Sequence, residues 1–523
     1  MCAIRMLESV LDPDEPSVNK EPGSASPEKI GRRTATGAFV LIASRLATRA
    51  IDLLALVVLG RLLSPADFGL VAIAMSVMMV VEAVMELPVF FALVAFQERT
   101  RAHYDTAFTL LLAKGILLSV ILLVVAWPLS QVYNDYRLIW LIYALGFAPL
   151  SRGLGSPRMI DYSMNFDFRP NFVMEVTGKL VGFALSVSLA WSTRSYWALA
   201  AGTITVPITT SILSYFYAPY LPKITLREWR AFSGFLGWTT ITQAITAANW
   251  QMDQLLLGKF VNRFELGRFS MASNLASIPW QIFIVQVISP LLVAFSQVRE
   301  DSARLKAAYQ KSVTTIVTVG LPVMVGMSMT AEPVVRLILG DQWLESAWLL
   351  RWLALVAIPP MFAAPLSPLS ITLNRTIIFF WLAAIEAAVK LPLTLVAIYF
   401  YGIVGVLVVR GAVSVIMAIC GMWAARGLIQ LSVRDQILGP WRAVLSALAM
   451  AGVVAPLEFS LDRSANVVQL VLDLAIIVSA GACVYTACIW ALWHLAGRPP
   501  GLESDLLTAA GSYSRKVIRR SHA

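Results

Sequence analysis

Apolar runs of about 20 residues recur along almost the whole of this 523-residue chain. Each is long enough to cross a hydrocarbon core about 30 Å thick. That one feature removes most folds from consideration, because a backbone in lipid must satisfy its own polar groups and only helices and closed barrels do so. Strand-like alternation with a period of two is absent, so the runs are read as helices. The composition agrees: 58% of residues are hydrophobic and 14% charged, where a soluble domain carries about a quarter charged residues.

The spans read from the sequence are 37–60, 69–96, 107–130, 138–155, 172–191, 196–217, 232–258, 268–296, 312–331, 347–371, 376–398, 402–425, 442–460 and 467–495. The expected fold is an all-α integral membrane protein of about 14 transmembrane helices. Residues 1–36 are polar, lack an apolar core of signal-peptide length and are read as a disordered cytoplasmic tail.

The formal net charge of +10 would suggest nucleic acid in a soluble protein. Here it follows from Lys and Arg gathered in alternate loops, the signature of cytoplasmic sides. Those loops carry Arg99 and Arg101; Arg152, Arg158 and Arg169; Lys223, Arg227 and Arg230; and Arg299, Arg304, Lys306 and Lys311. Arg515, Lys516, Arg519 and Arg520 add to the basic tail at 496–523. Both termini are therefore expected in the cytoplasm.

A hairpin is written twice. Leu59-Gly60-Arg61 reappears 198 residues later as Leu257-Gly258-Lys259, and without a gap Glu265 then falls on Asp67 and Gly267 on Gly69. The Glu175/Lys179 pair has a mate in Glu386/Lys390, and Tyr133-Asn134-Asp135 a weaker one in Leu339-Gly340-Asp341. A repeat of this length describes architecture. The unit holds six helices and appears as a lobe at 37–217 and again at 232–425, joined by a cytoplasmic linker at 218–231. Six is even, so both copies enter the membrane from one side, as in parallel duplications whose substrate path lies between the halves. The two helices at 442–495 have no counterpart.

Intramembrane polar residues are costly and mark pathways by default. They gather on the first two helices of each lobe. Arg45, Arg49 and Asp52 share a stripe in the first span; Glu82 and Glu86 lie one turn apart in the second. The seventh carries Thr239, Thr242, Gln243, Thr246, Asn249 and Asp253, and the eighth Asn274, Ser277, Gln281 and Gln286. These stripes predict a wet cavity, although neutral residues at such spacing also serve as interhelical hydrogen bonds. Two guanidiniums on one face suit a diphosphate, which Arg grips in bidentate fashion. Glu82, Glu86 and Asp253 are the candidates for proton or cation coupling. The Glu175/Lys179 and Glu386/Lys390 pairs read as neutralised structural pairs. Lys114 and Arg410 read as substrate contacts or buried ion pairs.

Catalysis finds no support. There is no GxxxxGK[ST] segment, the three histidines (His103, His494, His522) form no metal or triad spacing, and three of the four cysteines, Cys420, Cys483 and Cys488, lie in spans without a CxxC. No metal or cofactor is expected beyond an H+ or Na+ used for coupling.

The duplicated six-helix lobe, the turn LGRLLSPADFGL and its mate LGKFVNRFELGRFSMASNLA resemble the polysaccharide transporter family of the MOP superfamily, which includes Wzx-like lipopolysaccharide and exopolysaccharide flippases. The resemblance covers about residues 37–495. It implies a pair of lobes that alternates access and moves a polyprenyl-diphosphate-linked oligosaccharide across the bacterial inner membrane. Polysaccharide polymerase and export machinery are the further partners it implies, and nucleic acid is not among them. It also implies that basic residues on the first helix face the cavity, where Arg45 and Arg49 stand. Their mates Gln243 and Ala247 are uncharged, so phosphate recognition is expected from the N-terminal lobe. Two rival readings differ in chemistry. A MATE-like cation exporter calls for carboxylates to dominate the cavity, and a membrane glycan-modifying enzyme calls for a catalytic constellation.

Overall fold

The computed structural model describes residues 27–85, 89, 93, 96, 100–229, 238–459 and 467–498. Helices make up almost all of it, and the described residues contain no β-strand. Among the described residues, ten helical segments are long and apolar enough to cross a membrane.

Helix α1 (Pro27–Leu62) opens on a proline, whose fixed φ and missing N–H suit a first helical position. It therefore begins within the segment read as tail; residues 1–26 and 499–523 lie outside the described residues. Helix α2 (Pro65–Val84) starts with a capping box. The Ser64 hydroxyl accepts from the Asp67 N–H, and the Asp67 carboxylate accepts from the Ser64 N–H. Helices α3 (Arg101–Tyr133), α4 (Arg137–Leu145), α5 (Phe147–Gly153), α6 (Met159–Met164), α7 (Arg169–Thr193) and α8 (Trp197–Tyr217) follow. The fourth expected span is thus two short helices, α4 and α5, meeting at Gly146.

Helix α9 (Trp238–Phe260) leads to α10 (Arg263–Pro279), whose N-cap Asn262 accepts from the Glu265 N–H at 2.9 Å. Glu265 falls on Asp67 in the repeat because both are the acidic third residue of a capped helix, where the helix dipole favours negative charge. A π-turn at Trp280–Ile284 separates α10 from α11 (Val285–Gln297). Next come α12 (Ser302–Met329), α13 (Ala331–Leu339), α14 (Ala347–Val356) and α15 (Leu366–Thr372), the last two separated by a 3-10 turn at Pro359–Ala363. Helix α16 (Ile377–Ile429) is two helices joined at Gly402, whose φ of 55° only glycine adopts readily. That break falls at the first residue of the expected span 402–425. A short α17 (Val433–Leu438) precedes α18 (Trp441–Phe459) and α19 (Val467–Leu495).

The largest apolar core lies between the halves of the chain rather than inside one of them. It joins Leu70 to Met78 of α2, Leu122 of α3, Leu138 to Leu145 of α4, Leu266 to Ala276 of α10 and Trp343 to Leu353. A second core packs α18 and α19 on α12, where the Tyr485 hydroxyl donates to the Thr318 carbonyl at 2.7 Å. Helices α7 and α8 approach closely at small residues. A methyl on Gly202 would stand 2.1 Å from the Ser186 hydroxyl, and one on Gly182 would stand 2.9 Å from Val206.

The segment after α8 is strapped along the start of α3. Buried Asp105 accepts from the Tyr220 hydroxyl at 2.7 Å and the Lys223 N–H at 2.9 Å, and the Thr109 hydroxyl accepts from the Thr225 N–H at 3.0 Å. Burial, with Asp105 alongside, pushes the Tyr220 hydroxyl up to about 12. Asp105→Ala removes two of these bonds, each worth about 1 kcal/mol. Tryptic cleavage at Lys223 and Arg227 should rise about tenfold in the variant while the wild type stays protected. Equal cleavage rates would show that the strap does not hold the segment.

Candidate functional site

Two ionic clusters sit where the polar stripes of α1 and α9 meet later helices. In the N-terminal half, Lys179 of α7 is bonded to Asp52 of α1. Arg49 lies 3.8 Å from the other oxygen of the same carboxylate. Ser44 donates to Glu175 at 2.9 Å. Arg45 reaches out of this half altogether and donates to Gln286 of α11 at 2.7 Å. Counted with Arg45, which is paired with a neutral side chain, this part of α1 and α7 has three cations, Arg45, Arg49 and Lys179, against two carboxylates, Asp52 and Glu175. It carries a surplus of positive charge.

In the C-terminal half the charges balance. Asp253 of α9 meets Lys390 at 3.1 Å and Arg410 at 3.5 Å, both on α16, and Glu386 lies one turn before Lys390. The Lys390 ammonium also donates to the Asn249 carbonyl at 2.7 Å, and the Asn249 amide donates to the Ala383 carbonyl at 2.9 Å. Arg410 extends to the Ser273 hydroxyl at 3.3 Å and lies over the Phe269 ring. Asn249 and Asp253 are 1% and 2% exposed, so both are built into the wall here and neither lines an open cavity.

The other sequence candidates occupy varied settings. Gln243 and Asn274 are exposed; Thr246 donates to the Thr242 carbonyl at 2.8 Å, and Gln281 to the Ser277 hydroxyl at 3.0 Å. Glu82 is bonded to Arg152, the first basic residue after α4, at 2.5 Å. Glu86 lies outside the described residues. The neutralised pairs expected within α7 and α16 are drawn differently. Lys179 and Lys390 each reach the aspartate of the preceding polar helix, Asp52 and Asp253, and in the second of these pairs both charges are buried together. Sequence spacing displays neighbours at i,i+4 and is silent on such distant partners. Ser44 is missed as a contributor for the same reason, as are Arg152 as the partner of Glu82 and Gln286 as that of Arg45.

At the hairpin turns the halves are locked together, and the close glycine contacts are reciprocal under the offset of 198. A Cβ on Gly69 would lie 2.2 Å from the Arg263 carbonyl oxygen, and one on Gly267 would lie 1.8 Å from that of Pro65. Arg61 donates to the Leu337 carbonyl at 2.5 Å and its mate Lys259 to that of Val132. Basic side chains thus cap orphan carbonyls at the ends of α13 and α3. Buried Trp343 donates to the Gly60 carbonyl at 2.7 Å, and Arg263 meets buried Asp135 at 2.6 Å. The far ends of the helices, where Arg45 and Arg49 stand, have only the Arg45–Gln286 bridge among the side-chain bonds described between α1 and α11.

Residues 58–348 match the sequence profile of the polysaccharide biosynthesis protein family. The chain is 24% identical over 458 residues to the succinoglycan biosynthesis transport protein ExoT of Rhizobium meliloti, covering 86% of this chain and 91% of the relative. It is 20% identical over 400 residues to the lipopolysaccharide biosynthesis protein WzxC of Escherichia coli, covering 75% and 80%. Among solved structures, the lipid II flippase MurJ in an inward closed conformation superposes with a TM-score of 0.67 at 14% identity, covering 89% of this chain and all of that one. An inward-facing MATE multidrug transporter of the MOP superfamily gives 0.58 at 12% identity, covering 73% and 94%. These likenesses establish a shared fold. With more than half of its length matched, and with the multi-span helical fold of MOP transporters, the chain belongs to the polysaccharide biosynthesis protein family.

Proposed function

We propose that this multi-pass membrane protein is a flippase. It carries a polyprenyl-diphosphate-linked oligosaccharide, an O-antigen or exopolysaccharide repeat unit, across the bacterial inner membrane by alternating access. The observation that carries the reading is the uncompensated positive charge of α1, where Arg49 stands beside a carboxylate already shared with Lys179 and Arg45 is paired with the neutral Gln286. A surplus of guanidinium at membrane depth calls for an anionic ligand, and a diphosphate satisfies it bidentately. Two relatives are named for succinoglycan biosynthesis transport and for lipopolysaccharide biosynthesis, which supports a glycan as the cargo.

In this reading fourteen spans form two six-helix lobes plus the pair α18 and α19, with both termini in the cytoplasm. The locked hairpin turns then face the periplasm, and the arginines open to the cytoplasm. The sugars lie along Thr242, Gln243 and Thr246 and along Asn274 to Gln281. Coupling uses a proton more readily than Na+. Asp253 already holds two fixed cations and Glu82 holds Arg152, which leaves neither of these two carboxylates bare for a metal ion. Protonation would instead release Arg152, Lys390 or Arg410 and loosen the lobe that each secures. A cation exporter fits less well, since Asp52, the carboxylate on the first helix, is tied to Lys179.

The test is genetic. A strain lacking the gene should accumulate the lipid-linked oligosaccharide on the cytoplasmic side, and the wild-type gene should clear it. Arg49→Ala should restore export about 10- to 100-fold less well, the scale of one charge-assisted phosphate contact worth about 1.5–3 kcal/mol. Full rescue by Arg49→Ala at matched protein level would overturn the docking of the diphosphate on α1.

A further inference from the structure

Two apolar grooves run side by side on the C-terminal half. The larger, about 540 Å³, lies between the start and the end of α16, with Trp381 and Ile385 on one wall and Ile419, Cys420 and Trp423 on the other. The smaller, about 240 Å³, shares Leu382 with it and is closed by Trp280, Ala363 and Gly421. The mouth is open to the surroundings, with Trp381 60% and Trp423 59% exposed. The floor is formed by a close helix approach, since a Cβ on Gly421 would lie 2.7 Å from that of Ala363.

The inner end of this path is what singles it out. Trp280 is the first residue of the π-turn at Trp280–Ile284, and π-turns recur at functional sites. Its neighbour Gln281 is one of the expected sugar contacts. Gln286, two residues beyond the π-turn, accepts from Arg45. An apolar trough open to its surroundings at one end is thus closed, at the other, by Trp280, about 9 Å along the same helical segment from the Gln286 that accepts from Arg45.

We propose that these grooves seat the first isoprene units of the substrate's polyprenyl tail, an assignment that rests on the lipid-linked substrate proposed above. From Ile378 to Ile385 the trough extends about 10 Å along the helix, a third of the roughly 30 Å along which a membrane-spanning partner helix would pack, and it suits a short stretch of slender branched chain. Lipid is as apolar as the groove, so burial alone supplies little affinity there. The gain comes from shape, with the methyl branches packing between tryptophans, and from orientation, with the diphosphate delivered at Arg45.

Cys420 in the groove wall allows the seat to be blocked after folding. In purified protein with Cys2, Cys483 and Cys488 replaced by serine, a photoreactive polyprenyl diphosphate with its diazirine next to the diphosphate should label residues 378–385 and 419–424. Labelling should survive a large excess of phospholipid and fall at least fivefold once Cys420 is alkylated with a bulky maleimide. Binding of inorganic diphosphate, read by calorimetry, should be unchanged by the alkylation. Labelling elsewhere, indifference to alkylation, or displacement by phospholipid, which would reveal an ordinary acyl-chain seat, overturns the proposal. If Arg45→Ala/Arg49→Ala leaves groove labelling and diphosphate binding intact, the tail seat stands and the diphosphate reading on α1 falls.

Discussion

Gly267→Ala is expected to open the face that the hairpin turns close. A Cβ there would stand 1.8 Å from the Pro65 carbonyl oxygen, and the mirror position, Gly69, allows only 2.2 Å to the Arg263 carbonyl oxygen. Both obstacles are helical main chain and cannot rotate away, so α2 and α10 must separate by roughly 1–2 Å to restore ordinary contact distances. Overpacking of this kind costs about 1–3 kcal/mol. The strain falls only on the locked state, because the contact exists only while the halves are together at this end. Separation also draws Arg61 and Lys259 off the carbonyls of Leu337 and Val132, and Trp343 off that of Gly60. Each such bond contributes about 1 kcal/mol, so the balance between states should move by about 10- to 100-fold toward the form open on this face. A cysteine placed at Leu63, 2% exposed beside the turn, should react with an impermeant maleimide at least tenfold faster in the Gly267→Ala background. Unchanged reactivity would mean that the two glycines do not set the closure.

Lys390→Met is expected to be the most damaging single substitution in the C-terminal half. It leaves Asp253, 2% exposed, with Arg410 at 3.5 Å as the cation remaining to it. It also strips the donor from the Asn249 carbonyl. Removing one partner of a buried pair costs about 3–5 kcal/mol, because the other charge stays buried without compensation. The measurement is the yield of monodisperse protein in detergent and its unfolding temperature, both of which should fall sharply. Adding Asp253→Asn to Lys390→Met should recover much of the loss, since neutral side chains of similar size carry no such penalty. Failure of the double variant to recover would show that Lys390 matters through the Asn249 carbonyl, not through charge. The matching contact in the other half, Lys179 with Asp52, is more open, so Lys179→Met should cost less stability and more transport.

The repeat was readable from the chain because the turn has strict local demands. Asp67 and Glu265 recur as third residues of capped helices, and Gly69 and Gly267 recur because each lets its helix touch the other's main chain. Both demands are written in residue types at fixed spacing. The break at Gly402 was readable for the same reason, as a gap between apolar runs. Long-range pairings were hidden. Glu175 and Lys179 at i,i+4 look the same whether they bind one another or, as the fold has it, reach Ser44 and Asp52 on α1. Asp253 looked like a free carboxylate because Lys390 and Arg410, more than a hundred residues away, become its neighbours only once α16 crosses α9. The imbalance of charge was half visible. Arg45 and Arg49 lack basic mates in the sequence, while the neutrality of the other half depends on that crossing.

The account is tested most directly by transbilayer movement in vesicles. Purified protein in liposomes, given a fluorescent polyprenyl-diphosphate oligosaccharide on both leaflets, should make the outer and inner pools exchange, as read by quenching from outside. The Arg45→Ala/Arg49→Ala variant, reconstituted to the same density, should exchange them at least tenfold more slowly, and free diphosphate in excess should slow the wild type. Exchange by the double variant at the wild-type rate, or no exchange by the wild type under an imposed proton gradient, would contradict the claim that the unbalanced cations of α1 carry a lipid-linked glycan across the membrane.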